Sequence, residues 1–305
     1  MDNFQLLNIP QIPKGTIDAV LDTDTYNEVD DQFALAYMLR SEERINCRAI
    51  YAAPFTSHHA DTPAEGMEKS YQEILNVLRL CGREEMAKNS YRGATAYLPN
   101  EQTPVLSDAV HDLVARAHEY TEDAPLYVVA IGAITNVASA LLVDPGIAKK
   151  IVVIWLGGHA LHWEHNREFN LMQDIAAARV VMRSGVPMVL LPCSGVVSAF
   201  TVSVPELRQW LSDANPLCDY LVDIVAQFEA RVAKGKPWVK AIWDVTAVAW
   251  LLNDGECFMQ DRIIKAPLPE YSHSYTENAF EHSIRYVWNI KRNALFADLF
   301  EKLRR

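Results

Sequence analysis

The stretch AVLDTDTYNEVDDQFALAYM, residues 19–38, decides the fold of this 305-residue chain. An apolar run at residues 17–21 leads into it and has the length of a buried strand. The end of the stretch, residues 33–38, carries apolar residues spaced as one face of a helix. This order of strand, acidic turn and helix predicts polar groups at the carboxyl edge of an open α/β sheet, where such sheets bind ligands.

The turn between the predicted strand and helix is crowded with carboxylates: Asp22, Asp24, Glu28, Asp30 and Asp31. Like charges held together at a buried strand end are unstable unless something neutralises them. A divalent cation is the simplest neutraliser, because Ca²⁺ and Mg²⁺ prefer carboxylate and carbonyl oxygens. The alternative is an acidic helix start, in which the helix dipole favours Asp30 and Asp31. The apolar flanks of the turn favour the metal site.

Composition excludes several classes of partner. The formal net charge of −11 at pH 7 argues against a surface that binds nucleic acid or an anionic membrane. The five cysteines show no metal-ligand spacing, which is typical of reduced thiols in a cytosolic protein. We expect no secretory signal and no membrane span, since no apolar run approaches the ~18 residues that a bilayer requires. We therefore expect a cytoplasmic protein.

Predicted strands alternate with predicted helices along the whole chain. After residues 17–21, strands are expected at 45–52, 126–131, 151–156, 186–191 and 286–290. These strands are continuous apolar runs, which indicates a mostly parallel sheet buried on both faces. Residues 84–104 are predicted to be irregular, and residues 159–173 to form a long loop. With no linker visible, we predict an α/β fold with one domain over 1–305: an open, mostly parallel sheet with helices on both faces.

Further polar residues follow the later strands. Thr135 and Asn136 come after the strand at 126–131, and Glu168 and Asn170 follow the strand at 151–156. Asp244 directly precedes a late apolar helix. In a parallel sheet these ends meet at one crevice, so we expect the groups to converge there. The alternative interpretation makes Thr135, Asn136 and Asp244 helix caps, and the other two ordinary loop residues.

Five short motifs together resemble those of the nucleoside hydrolases, in the same order. They are the paired-Asp opening at Asp22, GxxTNxA from Gly132, WLGG from Trp155, EFN from Glu168, and the late Asp244. The resemblance runs from about residue 17 to the C-terminus. It implies an open α/β fold with one Ca²⁺ at the carboxyl edge, and hydrolysis of a ribonucleoside to ribose and free base. It also implies a homodimer or homotetramer.

The resemblance implies a ligand set for the calcium ion. Asp22, Asp31, Asp244 and the backbone carbonyl of Thr135 would bind it, and Asp22 would also be the general base for a metal-bound water. Asp24 would support the turn. A bound cation lowers the pKa of water, so a carboxylate can take its proton.

The resemblance also implies how the sugar is held. Asp30, Glu168 and Asn170 would bind the ribose hydroxyls. Cleavage of a glycosidic bond passes through an oxocarbenium-like sugar, and negative side chains stabilise its developing positive charge.

Two features depart from the family pattern. The segment between Asp24 and Asp30 is longer by two residues, and Trp243 stands where many members carry a histidine that protonates the departing base. An indole cannot donate a proton usefully. We hypothesise that Trp243 stacks on an aromatic leaving group, or that another histidine supplies the acid. The candidates in predicted loops are His58, His59, His159, His162 and His165.

Three alternatives stay open at this point. Without an acid before Asp244, one alternative is a slow or non-catalytic binder of nucleosides or other ribosyl compounds. A second is an enzyme that cleaves a ribosylated metabolite whose better leaving group needs no acid. Finally, the segment from Asp22 to Thr25 resembles the opening of the Mg²⁺-dependent haloacid dehalogenase phosphatases, although no well-placed lysine accompanies it.

Overall fold

A computed structural model describes residues 9–276 and 282–305. Across these residues the central sheet has eight strands in the order β3-β2-β1-β4-β5-β6-β12-β9. The strands are β1 (Ile17–Thr23), β2 (Ile45–Ala52), β3 (Ser90–Arg92), β4 (Leu126–Ala130), β5 (Ile151–Leu156), β6 (Met188–Leu191), β9 (Met259–Lys265) and β12 (Ser283–Ile290). Two small ribbons pair β7 (Thr201–Val202) with β8 (Lys240–Ala241) and β10 (Leu268–Pro269) with β11 (Tyr275–Thr276). The central pairings are parallel except that between β9 and β12.

Helices cover both faces of this sheet. They are α1 (Asp31–Leu39), α2 (Pro63–Leu80), α3 (Asp108–Ala117), α4 (Thr135–Val143), α5 (Phe169–Gln173), α6 (Ile175–Arg183), α7 (Val204–Leu211), α8 (Pro216–Val232), α9 (Val245–Trp250) and α10 (Arg292–Leu303). Side chains of neighbouring strand residues point to opposite faces, so Leu21 packs in one apolar core with Phe33 and Trp250. Val20 packs in the other core with Trp155. The predicted fold class is therefore confirmed.

The ends of several helices follow local rules. Thr62, Ser107 and Asn215 accept backbone N–H groups at the starts of α2, α3 and α8. Every residue of α1 is buried, and this helix packs against α9. The acidic turn at residues 24–30 connects the carboxyl end of β1 to the start of α1 at Asp31.

The structure contains elements that the sequence did not predict, among them β3, β9 and α5. Residues 84–104, predicted to be irregular, contain β3, whose three residues are too few for a periodic signal. The edge strand β9 was not predicted, since its sequence mixes charged residues with apolar ones. The predicted loop at 159–173 ends in the short helix α5.

The single domain predicted over residues 1–305 stays a prediction, since residues 1–8 and 277–281 lie outside the described part of the chain. No helix in the described part of the chain combines the length and the apolar character that a membrane crossing requires.

Candidate active site at the carboxyl edge

A cavity of about 200 Å³ lies at the carboxyl ends of the central strands. We call it the acidic cavity, because six acidic side chains line it: Asp24, Glu28, Asp30, Asp31, Glu168 and Asp244. Of the predicted site residues, six line it together: Asp30, Asp31, Glu168, Asn170, Trp243 and Asp244. Two others, Asp22 and Thr135, are not part of its lining.

Asp30, Asp31 and Asp244 form a buried cluster in which ligand oxygens all lie within 4.8 Å of one another. The packing of α1 against α9 creates this cluster, because Asp30 and Asp31 begin the first helix and Asp244 precedes the second. Thr23 Oγ1 donates to Asp31 Oδ1 at 2.6 Å. The pKa of Asp244 is raised, first by burial and then by the charges of Asp30 and Asp31.

Asp24 belongs to the same cluster electrostatically. Burial raises its pKa well above the usual value, and the neighbouring charge of Asp31 raises it further. Its Oδ2 atom is buried without a hydrogen-bond partner in the described residues. Its Oδ1 atom lies so close to Gly132 that a Cβ atom there would stand only 3.0 Å away. Asp24, which was predicted to support the turn, accepts the backbone N–H of Asn27 through its carbonyl, and it also lines the cavity one residue past the end of β1.

Asp22 occupies a different environment because it is still inside β1. Its backbone is paired in register with Tyr51 and with Ala130. Its Oδ1 atom accepts a hydrogen bond from Asn136 Nδ2 at 2.8 Å, and Asn136 also accepts from the backbone of Ala94. Its predicted roles as calcium ligand and general base stay predictions. The geometry favours Asp24 for both roles, since it lines the cavity.

Thr135 is the first residue of α4, and its side chain serves the framework. Thr135 Oγ1 donates to Asp174 Oδ2 at 2.7 Å. Asp174 in turn caps α6, because its Oδ1 atom accepts from the backbone N–H of Ala177 at the start of that helix. The predicted metal contact of the Thr135 carbonyl stays a prediction.

Glu168 and Asn170 are held by hydrogen bonds to the backbone. The Glu168 carboxylate accepts from the N–H groups of Gly158, Asn170 and Leu171 at 2.8–2.9 Å. Asn170 Nδ2 donates to the carbonyls of Ile131 and Leu156 just past β4 and at the end of β5, at 3.0 and 3.1 Å. Both side chains thus reach the cavity in fixed positions.

Lys240 is a buried cation that the sequence analysis missed. Its Nζ atom lies 3.0 Å from Asp30 Oδ1 and also bonds to Glu28, and the residue is only 4% exposed. Burial lowers the pKa of Lys240, but the charges of Asp30 and Glu28 outweigh this effect and raise it overall. In the sequence this residue is a lone lysine between apolar residues at 238–242. That pattern is too common to indicate a functional residue.

The donor chemistry of the acidic cavity fits a hard divalent cation. Lys240 neutralises Asp30, which leaves Asp24, Asp31 and Asp244 as uncompensated carboxylates. The unpartnered Asp24 Oδ2 atom and the crowded oxygens are the ligand type that such ions prefer. Without a cation, these buried groups raise one another's pKa instead.

Cation-free protein is therefore expected to lose stability as the pH rises from about 4 to above 7. Burial raises the pKa of both Asp22 and Asp31 to about 7, from 3.8. Between these pH values the folded state holds protons that the unfolded state releases. The free energy of unfolding therefore falls by roughly 1.4 kcal/mol per pH unit for each such group. Thermal unfolding of chelator-treated protein at pH 5 and pH 8 checks this. A midpoint that is higher at pH 8 contradicts it.

Trp243 and one candidate histidine also line the acidic cavity. Trp243 is half-buried beside Asp244, and His159 lies in the lining. His59 lines an adjoining cavity of about 360 Å³ that shares Asn27 and Glu28 with the first. Burial lowers the pKa of both His59 and His159, which disfavours their acidic form at neutral pH. The other candidates, His58, His162 and His165, are in neither lining.

Comparison with known proteins adds independent findings. The sequence profile described as inosine-uridine preferring nucleoside hydrolase matches residues 19–287. The pyrimidine-specific ribonucleoside hydrolase RihA of Escherichia coli O1:K1 is 26% identical over 253 residues, covering 73% of this chain and 76% of RihA. A solved inosine-guanosine nucleoside hydrolase has a similar fold, with a TM-score of 0.73 at 15% identity, covering 94% of this chain and 98% of its own. The type III effector XopQ, solved with adenosine diphosphate ribose, has a TM-score of 0.64 at 17% identity. The match covers 100% of this chain and 99% of XopQ.

Proposed function

Because the chain belongs to the inosine-uridine preferring nucleoside hydrolase family, we propose that its acidic cavity holds a calcium ion and the ribose of a ribonucleoside. Members of this family are N-ribohydrolases, so the chain is an enzyme that hydrolyses the N-glycosidic bond of ribonucleosides. The observation that carries the proposal is the convergence of Asp24, Asp30, Asp31 and Asp244 on one cavity. Family membership leaves no basis for the phosphatase alternative.

We propose Asp24, Asp31, Asp244 and the carbonyl of Thr135 as the residues that would hold calcium. Asp24 replaces Asp22 in this set because it lies past the strand end, in the cavity lining. When bound, a divalent cation fixes a diol and lowers the pKa of water. Three carboxylates give this site a charge that a divalent ion offsets well.

The remaining steps belong to side chains of the cavity. Asp24 takes the proton of the attacking water as general base. Lys240 lies against Asp30 and opposes the effect of burial on its pKa, and Asp30, Glu168 and Asn170 hold the 2′ and 3′ hydroxyls of the ribose. The carboxylates stabilise the positive charge that develops on the sugar ring as the bond to the base breaks.

We expect Trp243→Ala to reduce kcat/KM on the preferred ribonucleoside at least tenfold, a loss of about 1.4 kcal/mol in transition-state binding. The reason is that the half-buried indole lines the cavity and provides a flat surface for an aromatic base. Steady-state kinetics with Trp243→Phe as the matched control checks this, because phenylalanine keeps a stacking face. An unchanged kcat/KM for the alanine variant removes stacking from the mechanism.

A second candidate function is the binding or cleavage of a ribosyl compound other than a simple nucleoside. The observation in its favour is Trp243, which lines the cavity where a proton donor to the base is expected. The related effector XopQ has been solved with adenosine diphosphate ribose, which is a compound of this class. A leaving group that is stable as an anion would need no acid.

Release of reducing sugar across a panel of ribonucleosides tests the proposed function. With calcium present, at least one substrate is expected to give release that Asp24→Ala abolishes. Binding without release in every case supports the second candidate instead. The homodimer or homotetramer and the cytoplasmic location stay proposals, which gel filtration and cell fractionation test.

A further inference from the structure

One wall of the acidic cavity carries hydrogen-bond donors beside the Glu168 carboxylate, which already accepts three backbone N–H groups. This donor wall consists of Arg167, His159 and Ser194. Arg167 is exposed and forms no ion pair with any described residue, although acidic side chains line the same cavity. Most other arginines near a carboxylate are paired, for example Arg179 with Glu101 at 2.6 Å. The Arg167 guanidinium is thus available to an anionic ligand.

The loop that carries Arg167 is braced on both sides. Asn166 is 1% exposed, its Oδ1 atom accepts from the backbone of His159 at 2.9 Å, and its backbone N–H donates to the carbonyl of His273 at 2.7 Å. The next residue, Glu168, is anchored by three backbone N–H groups. The backbone of Arg167 is therefore held in place before any ligand arrives, which reduces the entropy lost on binding.

His159 is arranged as a donor as well. The backbone N–H of Ser194 donates to His159 Nδ1 at 3.3 Å, so in the neutral ring the proton is on Nε2. Burial lowers the pKa of His159, which keeps the ring neutral at physiological pH. The donor wall then offers the guanidinium, an Nε2–H group and the Ser194 hydroxyl.

We propose that the donor wall binds a phosphate on the 5′ carbon of the ribosyl substrate, so that the enzyme prefers nucleoside 5′-monophosphates to nucleosides. The inference rests on the proposed function, which fixes the rest of the sugar. C1 carries the leaving base, and the 2′ and 3′ hydroxyls would be held by the cation together with Asp30, Glu168 and Asn170. The 5′ oxygen is then left to carry a further group.

Phosphate matches the chemistry of the donor wall. Its oxygens only accept hydrogen bonds, and a guanidinium binds two of them in parallel. Arg167 also offsets the repulsion that a phosphate would meet from the carboxylates across the cavity. In the reaction the oxygen of water bonds to C1 while the bond from C1 to the base nitrogen breaks. Water's proton passes to Asp24, the departing base ends protonated, and the phosphate ester stays intact in ribose 5-phosphate.

Kinetics on matched substrates test the preference. Uridine and inosine are compared with their 5′-monophosphates on the wild type, Arg167→Gln and Arg208→Gln, the last being an exposed arginine of α7 outside both cavities. We expect the wild type to favour the monophosphates at least tenfold in kcat/KM. Arg167→Gln should reduce this ratio at least tenfold, Arg167→Lys should reduce it less, and Arg208→Gln should leave it unchanged. A ratio near one in the wild type overturns the proposal.

Binding separates this inference from the proposed function. Calorimetry with ribose 5-phosphate, ribose and inorganic phosphate, in calcium, is expected to show at least tenfold tighter binding of ribose 5-phosphate, and Arg167→Gln should abolish that difference. If ribose 5-phosphate binds no tighter than ribose, the phosphate site is refuted even when nucleosides are cleaved. If nothing is cleaved while Arg167-dependent binding persists, the proposed function fails and the phosphate site stands. Equal thermal midpoints of the variants exclude misfolding as the cause.

Discussion

Asp24→Asn is expected to lower kcat/KM for ribonucleoside hydrolysis about a thousandfold, within the range that a general base contributes. Asparagine keeps the shape of the side chain but cannot take the proton of the attacking water. It also removes one of the three uncompensated carboxylates that would hold calcium. Steady-state kinetics measures the loss, and Asp123→Asn, an exposed residue far from the cavity lining, is the matched control.

Asp22→Asn decides between the two assignments of the base. Asp22 is hydrogen-bonded to Asn136 inside β1. Its substitution is therefore expected to change the thermal midpoint strongly and to change the affinity for calcium only slightly. A residual activity at least tenfold above that of Asp24→Asn supports Asp24 as the base. If Asp22→Asn instead removes both calcium binding and turnover while Asp24→Asn retains them, the original assignment to Asp22 is right.

Removal of calcium is expected to abolish hydrolysis and to lower the thermal midpoint. Without a cation, burial raises the pKa values of the carboxyl groups of Asp24, Asp31 and Asp244, and the charges of neighbouring carboxylates raise them further. A ligand that binds only the folded state at 100 times its Kd stabilises it by about 2.7 kcal/mol. Unfolding scans and activity assays with a chelator, followed by added calcium, measure both effects.

Asp244→Asn is the partner experiment for the calcium site. The substitution removes the negative charge of one carboxylate of the cluster. The calcium-dependent shift in the thermal midpoint and the activity should therefore fall together. The exposed Asp123→Asn again serves as control, because its shift should equal that of the wild type. A wild-type midpoint that does not respond to calcium at any concentration shows that this ion is not the cofactor, and magnesium is then titrated in the same assay.

The sequence by itself determined the fold class and the edge of the sheet at which the site lies. Continuous apolar runs encode strands buried on both faces, and polar residues at their ends can meet only where parallel strands finish. That reasoning located Asp30, Asp31, Glu168, Asn170 and Asp244 correctly at one cavity. Short and mixed elements such as β3 and β9 carried too weak a period to be predicted.

Tertiary structure alone decided which acids face the cavity and which cations oppose them. Asp22 and Asp24 are two residues apart, so an alternating strand pattern does not distinguish them. Only the pairing of β1 with β2 and β4 shows that Asp22 lies inside the strand and Asp24 lies beyond its end. Lys240 meets Glu28 across 212 positions of sequence, a distance over which no local pattern operates. That Arg167 has no ion-pair partner among the residues the structure describes likewise depends on its neighbours in space. Local sequence encodes periodicity and strand ends, whereas the charge balance of a buried site depends on contacts that exist only after folding.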